Sequence, residues 1–332
     1  MIYIVAIEPI DTRYTGHWFD YVPKQIAENT KEEVTQIIGD LSSNTVTEGA
    51  FLDFSFTNIW KNTQASKIAK LFSENKIQPN DYFLFMDAWN PTAIEIKYMA
   101  DLFEIPIKMG GIWHAGSYDP YDFLGRKIKN KSWSYATERA LYEVYDHNYF
   151  ATDYHIKLLE STLSVSGKSY RIGFPMEYYS ELTDITSSEK KNQIVFPHRI
   201  SEEKQPELFK SLKEQLPEFD FIICQEQNLT KEEYHKILSE SKIVFSANLQ
   251  ETLGIGVFEG MLSGAIPLVP DRLSYVEMYY IQFKYNDKNI VDKIKDMMYN
   301  YNSYQTIMTL NTAFIMKNYF TGTILYDTIR NR

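Results

Sequence analysis

The stretch KIVFSANLQETLGIGVFEGMLSGAIPLVP, residues 242–270, contains the pattern that decides the fold. An apolar run of strand length, KIVFSAN, is followed by the loop LQETLG and by a helix. In that helix Ile255, Phe258 and Leu262 share one face at about 100° per residue. A second short apolar run, AIPLVP, comes after the turn at Ser263 and Gly264. Strand, helix and strand in this order predict a βαβ unit with parallel strands.

The same alternation of short apolar runs and longer helical stretches extends along the whole chain. In the first half the predicted strands are IYIVAIE, DYFLFMD, PIKMGGIW and HNYFATD, and the predicted helices are TQASKIAKLFSENK and PTAIEIKYMADLFE. In the second half, QIVFPHR, FDFIICQ, KIVFSAN and AIPLVP alternate with PELFKSLKEQL, KEEYHKILSES and the helix after Gly254. Continuous apolar runs are typical of parallel strands that are buried on both faces. The sequence therefore predicts an α/β protein with two Rossmann-like, doubly wound domains facing across a cleft.

The length of 332 residues suits two domains of ordinary size. Apolar periodicity is lost around residues 171–190, where Pro, Ser and charged residues accumulate, so we expect the hinge there. The predicted divisions are an N-terminal acceptor-binding domain (1–175), a C-terminal nucleotide-sugar-binding domain (176–310), and a C-terminal helix (311–332) packing back on the N-terminal domain. Ligands are expected outside the carboxyl ends of the strands.

Composition limits the classes of function. The formal net charge of −10 argues against a uniformly basic surface for nucleic acid, although it leaves room for a local basic groove. A single cysteine, Cys224, excludes an internal disulfide and a cysteine-built zinc site and suits a reducing cytoplasm. No apolar run approaches the ~20 residues that span a bilayer, and the opening MIYIVAIEP lacks the features of a signal peptide. We therefore expect a cytoplasmic protein without a membrane partner.

Two glutamates, Glu251 and Glu259, flank the loop and first turn of the helix in the opening stretch. Gly256, Gly260 and Ser263 lie beside Glu259 on the helical wheel, so this face carries little side-chain bulk. Gly254 leaves the first amides of the helix open to an anion such as phosphate. Carboxylates on either side of a diphosphate could accept hydrogen bonds from a sugar and a ribose, which is the layout of a nucleotide sugar. Alternatively, Glu251 caps the helix and Glu259 is a solvated surface residue.

The stretch SANLQETLGIGVFEGMLSGAIPLVP resembles the E-x7-E signature of the retaining GT-B glycosyltransferases of the family 4 type. These enzymes also carry an Arg and a Lys after the first strand of the second domain, and FPHRISEEK places Arg199 and Lys204 there. The resemblance implies a nucleotide-diphosphate sugar donor, of which a UDP-sugar is expected, and it implies no metal. By the same resemblance, the transferred sugar contacts Glu251, the ribose contacts Glu259, and the diphosphate contacts Arg199, Lys204 and the amides of Leu253, Gly254 and Ile255.

In the first domain, GGIWHAGSYD places His114 at the end of a strand, where the family often has a histidine facing the donor sugar. Glu251, His114, Arg199 and Lys204 are the predicted catalytic set. Retaining enzymes of this kind are thought to use the departing phosphate oxygen as the base, so that positioning matters more than a protein base. An inverting reaction would need His114, Asp119 or Asp87 as the base.

Two segments of the first domain are candidates for acceptor binding. The opening loop EPIDTRYTGHWFDYVP offers polar and aromatic side chains that could stack on a base or a sugar; these are Asp11, Arg13, Tyr14, His17 and Trp18. Alternatively, Trp18 and Phe19 only begin the first core helix. The run GRKIKNK places Arg126, Lys127, Lys129 and Lys131 together without an acid, and they could hold a phosphate backbone. Asp119 is a further acceptor-site candidate.

A second resemblance concerns the acceptor. PLVPDRLSYVEMY, residues 267–279, resembles the Pro-x-Arg-Leu-x-Tyr-Pro-Glu pattern of the mannosyltransferases that decorate queuosine in tRNA, with Val276 in place of the second proline. The compact length and the DTRYTGHW opening resemble phage glycosyltransferases that modify hydroxymethylated bases in DNA. These likenesses favour a 5-hydroxymethylated pyrimidine in phage DNA as acceptor, in the host cytoplasm. A surface glycan, a lipid, a tRNA base or a small molecule remains an alternative acceptor, and a sugar-nucleotide epimerase or a non-catalytic binding module an alternative function.

Overall fold

The computed structural model describes residues 1–11, 13–40, 46–47, 50–180 and 189–332. The chain divides into two compact units. Unit 1 comprises Met1–Ala151, His155–Pro175 and Gly322–Arg332, and unit 2 comprises Thr152–Tyr154 and Met176–Thr321. Part of the segment in which the sequence predicts a hinge, residues 181–188, lies outside the described residues.

Unit 1 is built on a six-stranded parallel sheet with the strand order β2-β1-β3-β4-β5-β6. Its strands are β1 (Ile2–Val5), β2 (Val34–Ile37), β3 (Tyr82–Phe85), β4 (Lys108–Ile112), β5 (His147–Phe150) and β6 (Ser169–Arg171). Its helices are α1 (Tyr14–Thr30), α2 (Thr57–Ser73), α3 (Thr92–Leu102), α4 (Phe123–Lys127), α5 (Lys131–Val144), α6 (Asp153–Leu163) and, later in the chain, α13 (Thr323–Arg330). Every residue of β1 and β3 is buried, as expected for strands with both faces covered.

Unit 2 contains a five-stranded parallel sheet with the order β11-β10-β9-β7-β8. Its strands are β7 (Lys191–Phe196), β8 (Asp220–Ile223), β9 (Ser241–Phe245), β10 (Ile266–Pro270) and β11 (Lys284–Tyr285). Its helices are α7 (Pro206–Gln215), α8 (Lys231–Glu240), α9 (Ile255–Leu262), α10 (Tyr275–Met278), α11 (Ile290–Tyr299) and α12 (Gln305–Tyr319). Cys224 is a buried free cysteine just after β8.

Local sequence explains where several helices begin. Pro206 is the first residue of α7, where its missing N–H costs nothing and its fixed φ suits the helix. Thr230 and Glu233 form a reciprocal capping box at the start of α8. In unit 1, the Asn130 side chain accepts a hydrogen bond from the Ser132 amide at the start of α5. These caps satisfy amides that have no partner within a helix.

The C-terminal segment 311–332, expected as one helix, forms the end of α12 and all of α13. The helix stops because Phe320 leaves helical geometry (φ −116°, ψ 47°) and stacks on Phe258, with ring centroids 4.2 Å apart. Gly322 precedes α13, and a Cβ there would lie 2.3 Å from the Tyr326 ring. α12 belongs to unit 2, whereas α13 belongs to unit 1 and packs on α1.

The two sheets share one topology. Numbered within its own unit, each sheet contains the order 2-1-3-4-5, with one additional strand in unit 1. In doubly wound sheets the connections leave the first and third strands in opposite directions, and the crevice at their carboxyl ends is the usual ligand site. We therefore expect functional residues in the loops after β1 and β3 of unit 1 and in the loops after β7 and β9 of unit 2.

Candidate active site

The turn between β9 and α9 has the geometry of an anion site. Gly254 is the N-cap of α9 and adopts a left-handed conformation (φ 83°, ψ 45°) that favours glycine. A Cβ at this position would also lie 2.8 Å from the Tyr275 ring. The first amides of any α-helix lack acceptors within the helix, and the helix dipole makes this end attractive to an anion. The loop thus presents the amides of Ile255 and Gly256 at the carboxyl end of the sheet.

Glu251 lies immediately before this turn and is held by several donors. Its Oε1 accepts hydrogen bonds from the amides of Thr252 (3.1 Å) and Leu253 (3.4 Å). Its Oε2 accepts from Asn248 Nδ2 (3.1 Å) and lies 3.3 Å from Lys204 Nζ. Because Glu251 occupies the Leu253 amide, that amide is already engaged in this structure, which differs from the expectation that it awaits a phosphate.

The ionisation of Glu251 follows from these contacts. Burial favours the neutral carboxyl and raises its pKa, but the Lys204 ammonium and the backbone amides of Leu253 and Gly254 outweigh this effect. The net result lowers the pKa of Glu251 to about 2. The site therefore contains a largely enclosed carboxylate, 18% exposed, that stays charged at neutral pH.

The structure brings the two predicted cations to the same end of the sheet, after β7. Lys204 is buried, and its ammonium donates to the Gln250 carbonyl (2.6 Å) in the Glu251 loop. Arg199 donates through Nε (3.1 Å) and Nη2 (2.6 Å) to Oε1 of Glu203. Burial of Glu203 raises its pKa, but hydrogen bonds from Ser201 and Arg199 outweigh burial and lower it overall. Each cation is thus paired with a carboxylate in this structure.

Glu259 is partly exposed, and two phenols hold its carboxylate. Its two carboxylate oxygens accept hydrogen bonds from Tyr179 (2.7 Å) and Tyr234 (2.8 Å). Burial and the nearby Glu259 charge raise the pKa of both phenols, so both remain donors at neutral pH. These tyrosines could not be predicted from local sequence because they lie 80 and 25 residues away from Glu259.

The small residues beside Glu259 have different roles. A Cβ at Gly256 would lie 3.4 Å from Pro197, an ordinary contact distance, so this position leaves space. A Cβ at Gly260 would lie 2.6 Å from the Val244 side chain on β9. The prediction that Gly260 clears a face for a ligand is therefore wrong, because the missing side chain allows close packing of α9 on β9.

Side chains of the stretch 267–279 form hydrogen bonds to the loop that carries Glu251. Arg272 donates to the carbonyls of Asn248 (2.9 Å) and Ala247 (2.8 Å) and to Gln205 Oε1 (3.0 Å). The Tyr275 hydroxyl lies 2.9 Å from the Ser246 hydroxyl and accepts from Asn248 Nδ2 (3.0 Å). The arginine and tyrosine of the Pro-x-Arg-Leu-x-Tyr pattern therefore fix the loop that carries Glu251.

Three polar residues around Glu251 were not predicted: His198, Asn248 and Tyr279. Each is buried and has one polar atom without a hydrogen-bond partner in the described part of the chain: His198 Nε2, Asn248 Oδ1 and the Tyr279 hydroxyl. Burial, reinforced by Lys204 and Arg199, lowers the pKa of His198 to about 3, so its ring is neutral. The HR dipeptide after β7 was the available sequence signal for His198.

In unit 1, His114 lies after β4 with both ring nitrogens engaged. Its Nε2 is 2.7 Å from the Met86 carbonyl, which can only accept, so Nε2 carries the proton. Its Nδ1 is 2.7 Å from the Tyr14 hydroxyl and accepts from it. Burial lowers the pKa of His114, which keeps the ring neutral. The structure therefore places His114 in a fixed orientation, and its catalytic role stays a prediction.

The predicted acceptor loop is largely the start of α1. Trp18, expected to face an acceptor, is fully buried against Tyr14, His114 and Phe174, so it cannot stack on a base in this conformation. His17 and Asp11 are exposed, whereas Arg13 and Tyr14 are partly buried. Arg13 lies over the Phe51 ring at 5.6 Å. Asp119 is buried and accepts a hydrogen bond from the Tyr121 amide (2.9 Å).

The predicted basic run spans α4 and the start of α5, and its members differ. Lys127 and Lys129 are exposed. Arg126 donates to the Tyr121 carbonyl (3.2 Å) and, like Lys127, lies over the Phe123 ring. The Lys131 ammonium donates to the carbonyls of Gly125 (2.5 Å) and Ser117 (3.2 Å). Lys131 therefore holds its own loop together, which makes it a poor candidate for phosphate binding.

Metal-binding clusters and membrane-spanning helices are both absent from the part of the chain that the structure describes. No group of three or more His, Cys, Asp or Glu side chains there has the arrangement of a metal site. None of the helices in that part of the chain combines the length and apolar character needed to cross a membrane.

The chain is similar in sequence to one curated protein and in structure to several solved ones. No protein-family model matches the chain. The tRNA-queuosine alpha-mannosyltransferase of Drosophila melanogaster is 28% identical over 140 residues, a match covering 34% of this chain and 36% of the relative. The match thus spans about a third of that relative's length.

Solved structures match over the whole chain. The catalytic domain of starch synthase IV from Arabidopsis thaliana, bound to ADP and acarbose, has a TM-score of 0.62 at 11% identity, covering 100% of this chain and 99% of that one. A UDP-forming alpha,alpha-trehalose-phosphate synthase from Burkholderia vietnamiensis has a TM-score of 0.61 at 10% identity, with 100% of both chains covered. At such identities the likeness establishes architecture. The chain has the GT-B fold, with two parallel-sheet units of the kind found in these glycosyltransferases.

Proposed function

We propose that this protein is a glycosyltransferase that binds a nucleotide-diphosphate sugar in unit 2 and transfers its sugar to an acceptor hydroxyl. The observation that carries the proposal is the placement of Lys204 and Glu251, 3.3 Å apart, beside the N-terminus of α9. This place is the crevice between β7 and β9 at which doubly wound sheets bind ligands. The ADP and UDP named for the similar structures support a nucleotide donor, and we take a UDP-sugar as the first candidate.

In this proposal each part of the site has one role. The first amides of α9, Lys204 and Arg199 bind the diphosphate and stabilise its charge as the bond to the sugar breaks. Glu251 accepts hydrogen bonds from hydroxyls of the transferred sugar. Glu259, held by Tyr179 and Tyr234, accepts hydrogen bonds from the ribose. The two cations supply the neutralisation that a metal ion supplies in other transferases, so the scheme requires no metal.

We propose that the sugar is transferred with retention, as the E-x7-E resemblance implies. The oxygen of the departing phosphate then takes the proton of the acceptor hydroxyl on the same face of the sugar. Correct positioning of donor and acceptor supplies most of the rate in such a scheme. The engagement of both nitrogens of His114 supports a positioning role for this residue rather than a role as a base.

For the acceptor we propose a 5-hydroxymethylated pyrimidine in DNA, in the cytoplasm of a phage-infected cell. Support comes from the resemblance of the opening segment to phage base glycosyltransferases and from the exposed Lys127 and Lys129 on unit 1. A second candidate is queuosine in tRNA, and the mannosyltransferase relative favours it. Both candidates are nucleosides that carry a free hydroxyl within a nucleic acid.

The test is sugar transfer measured by mass. The protein is incubated with UDP-, GDP- and ADP-sugars and one of four substrates: DNA with cytosine, DNA with 5-hydroxymethylcytosine, DNA with 5-hydroxymethyluracil, or queuosine-containing tRNA. The nucleic acid is then digested to nucleosides and weighed. A hexose added only to a hydroxymethylated base supports the first acceptor, and one added to queuosine supports the second. Ready glycosylation of a glycan, lipid or small molecule, with no transfer to nucleic acid, would refute both.

A further inference from the structure

Unit 1 contains a buried charged cluster that neither the E-x7-E resemblance nor the proposed donor site explains. It consists of Glu8 after β1, Asp87 after β3, and Thr57 and Lys61 on α2. Lys61 Nζ lies 2.7 Å from Asp87 Oδ2 and 2.8 Å from the Trp89 carbonyl. The Thr57 hydroxyl donates to Glu8 Oε2 at 3.0 Å. Glu8 is only 3% exposed, and Lys61 is 8% exposed.

The charges of this cluster do not balance. Lys61 forms its ion pair with Asp87, so Glu8 is a second carboxylate next to one ammonium. Burial raises the pKa of Glu8 to about 7, with Lys61 and Thr57 lowering it and Asp87 raising it. The same two charges act on His114 in the loop after β4, where Asp87 raises the pKa of the imidazole and Lys61 lowers it. A buried carboxylate in excess of its cations is costly, and the hydrogen bonds that Glu8 accepts from Thr57 and from its own backbone amide offset this cost only in part, because the pKa of Glu8 stays raised.

The position of the cluster matches that of the donor site in the other unit. Glu8 and Asp87 follow the two strands, β1 and β3, between which the order of the first sheet reverses. Lys204 and Glu251 follow the corresponding strands β7 and β9 of the second sheet. In both sheets a buried lysine is therefore combined with carboxylates at the carboxyl ends of these strands, where such folds bind ligands.

We propose that the Glu8–Lys61–Asp87 cluster is the acceptor subsite and that Glu8 accepts a hydrogen bond from a hydroxyl or amino group of the acceptor. This inference rests on the proposed transfer reaction and adds the acceptor-binding residue to it. The Lys61–Asp87 pair fixes the electrostatic surroundings of Glu8, and Thr57 fixes one of its oxygens. A hydroxymethylated pyrimidine offers suitable donors in its hydroxyl and, for cytosine, its exocyclic amine.

The experiment measures acceptor binding as a function of pH from about pH 5.5 to 8.5. Fluorescence anisotropy follows an oligonucleotide containing one 5-hydroxymethylcytosine, with UDP present, for the wild type, Glu8→Gln and the exposed control Glu95→Gln. Ionised Glu8 is the stronger hydrogen-bond acceptor, so wild-type affinity should fall as the pH drops below about 7 and level off roughly tenfold lower, because the protonated carboxyl still accepts through its carbonyl oxygen. Glu8→Gln should bind roughly tenfold more weakly at pH 8 and lose this dependence, while Glu95→Gln behaves as the wild type.

Separate readouts distinguish failure of this inference from failure of the proposed function. UDP binding, followed by calorimetry, reports on unit 2 and should be unchanged in Glu8→Gln. Absence of UDP binding in the wild type would count against the proposed donor site instead. A purely structural Glu8 predicts that Glu8→Gln and Thr57→Val lose thermal stability together, with acceptor affinity and its pH dependence unchanged, and this result overturns the inference. If Glu8→Gln does not fold, a wild-type affinity that is flat with pH, or no binding at any pH, overturns it as well.

Discussion

At the scale of single residues, the charges of the unit 2 site are already paired before any donor binds. Lys204 contacts Glu251, Arg199 contacts Glu203, and Glu259 is held by two phenols. Binding a diphosphate would therefore exchange one anionic partner of each cation for another. Such pairing keeps the side chains oriented, which reduces the reorganisation needed during reaction.

Replacing either cation should slow turnover more than it weakens acceptor binding. Arg199→Ala and Lys204→Ala each remove one preorganised positive group from the leaving diphosphate, and a loss of roughly 2–4 kcal/mol in transition-state stabilisation is expected. Steady-state kinetics with saturating acceptor measures the effect. Lys210→Ala, which changes an exposed lysine on α7, serves as the control. Wild-type kcat in both site variants would refute the assigned role.

Glu259 should contribute to donor affinity. Glu259→Ala removes an acceptor of ribose hydrogen bonds and should weaken UDP binding by ~1–3 kcal/mol. Tyr234→Phe removes only one of the two hydrogen bonds that orient this carboxylate, so its effect should be smaller and of the same sign. Calorimetric titration with UDP compares the variants. Unchanged affinity in a folded Glu259→Ala protein would exclude the ribose contact.

The low pKa of Glu251 links stability to pH. A carboxyl with a depressed pKa stabilises the fold above its unfolded value near 4.3, and this contribution is lost as the pH falls towards about 2. Glu251→Gln should therefore lower the free energy of unfolding by up to about 3 kcal/mol at neutral pH, with a difference that shrinks below about pH 4. Urea denaturation at a series of pH values tests this. A difference that is constant with pH would show that Glu251 is not the titrating group.

At the scale of elements, the two glycines of α9 have different roles: one allows close packing on the sheet, and the other leaves space beside the helix. Gly260 faces β9, where a Cβ would overlap Val244, whereas a Cβ at Gly256 would make only ordinary contacts. The helix buries Val257, Phe258, Met261 and Leu262, and Ile255 is only partly buried, which shifts the apolar face from the arc that the sequence predicts.

The two glycines should therefore respond differently to alanine. Gly260→Ala should cost ~1–3 kcal/mol of stability because it overpacks the α9–β9 contact. Gly256→Ala should be neutral or slightly stabilising, since alanine is the better helix former, but it should weaken UDP binding if the ligand approaches that face. Thermal melts and UDP titrations separate the two effects. Equal stability losses in both variants would contradict this division.

The sequence predicted the elements whose residues are buried on both faces. The expected runs after the N-terminus, around Tyr82–Phe85 and around Ile243–Phe245 all contain a strand, because a buried parallel strand needs an uninterrupted apolar run. It did not predict β2, β6 or β11. The first two are largely half-exposed and rich in polar residues, and the last is two residues long. For these strands the neighbouring strand, rather than local composition, determines the structure.

The candidate site was predictable only where the signal is local. Glu251, Gly254, Arg199 and Lys204 lie within short motifs beside strand ends. The structure places Lys204 against Glu251, three residues before Gly254, whereas Arg199 contacts Glu203. The partners of Glu259 and the role of Arg272 depend on contacts between distant segments, which spacing cannot reveal. Trp18 and Lys131 were misjudged because the sequence does not show which side chains point into the protein.

At the scale of the whole molecule, nucleic-acid binding has to overcome a net charge of −10. Nonspecific affinity should therefore be weak and should depend on a few exposed lysines. Lys127 and Lys129 are exposed on unit 1, whereas Lys131 is tied to two carbonyls of its own loop.

The double variant Lys127→Ser and Lys129→Ser should bind DNA more weakly and with a flatter dependence on salt, because fewer counterions are released. Its UDP affinity and its thermal stability should match the wild type. Lys131→Ser should instead lower the melting temperature, because two loop carbonyls lose their donor. Electrophoretic mobility shifts at several salt concentrations test the first statement, and an unchanged salt slope would exclude these lysines as phosphate contacts.

The return of α13 to unit 1 affects how the chain can fold during synthesis. Leu325 and Ile329 of α13 are fully buried, and this helix packs on α1, which precedes all of unit 2 in the order of synthesis. In a nascent chain, the surface of α1 that α13 covers therefore stays uncovered while the whole of unit 2 is still being translated. Chaperones that bind exposed apolar segments would therefore have the most time to act on unit 1. A chain released from a ribosome that stalls before Thr323 would lack α13, and its first unit would be prone to aggregate.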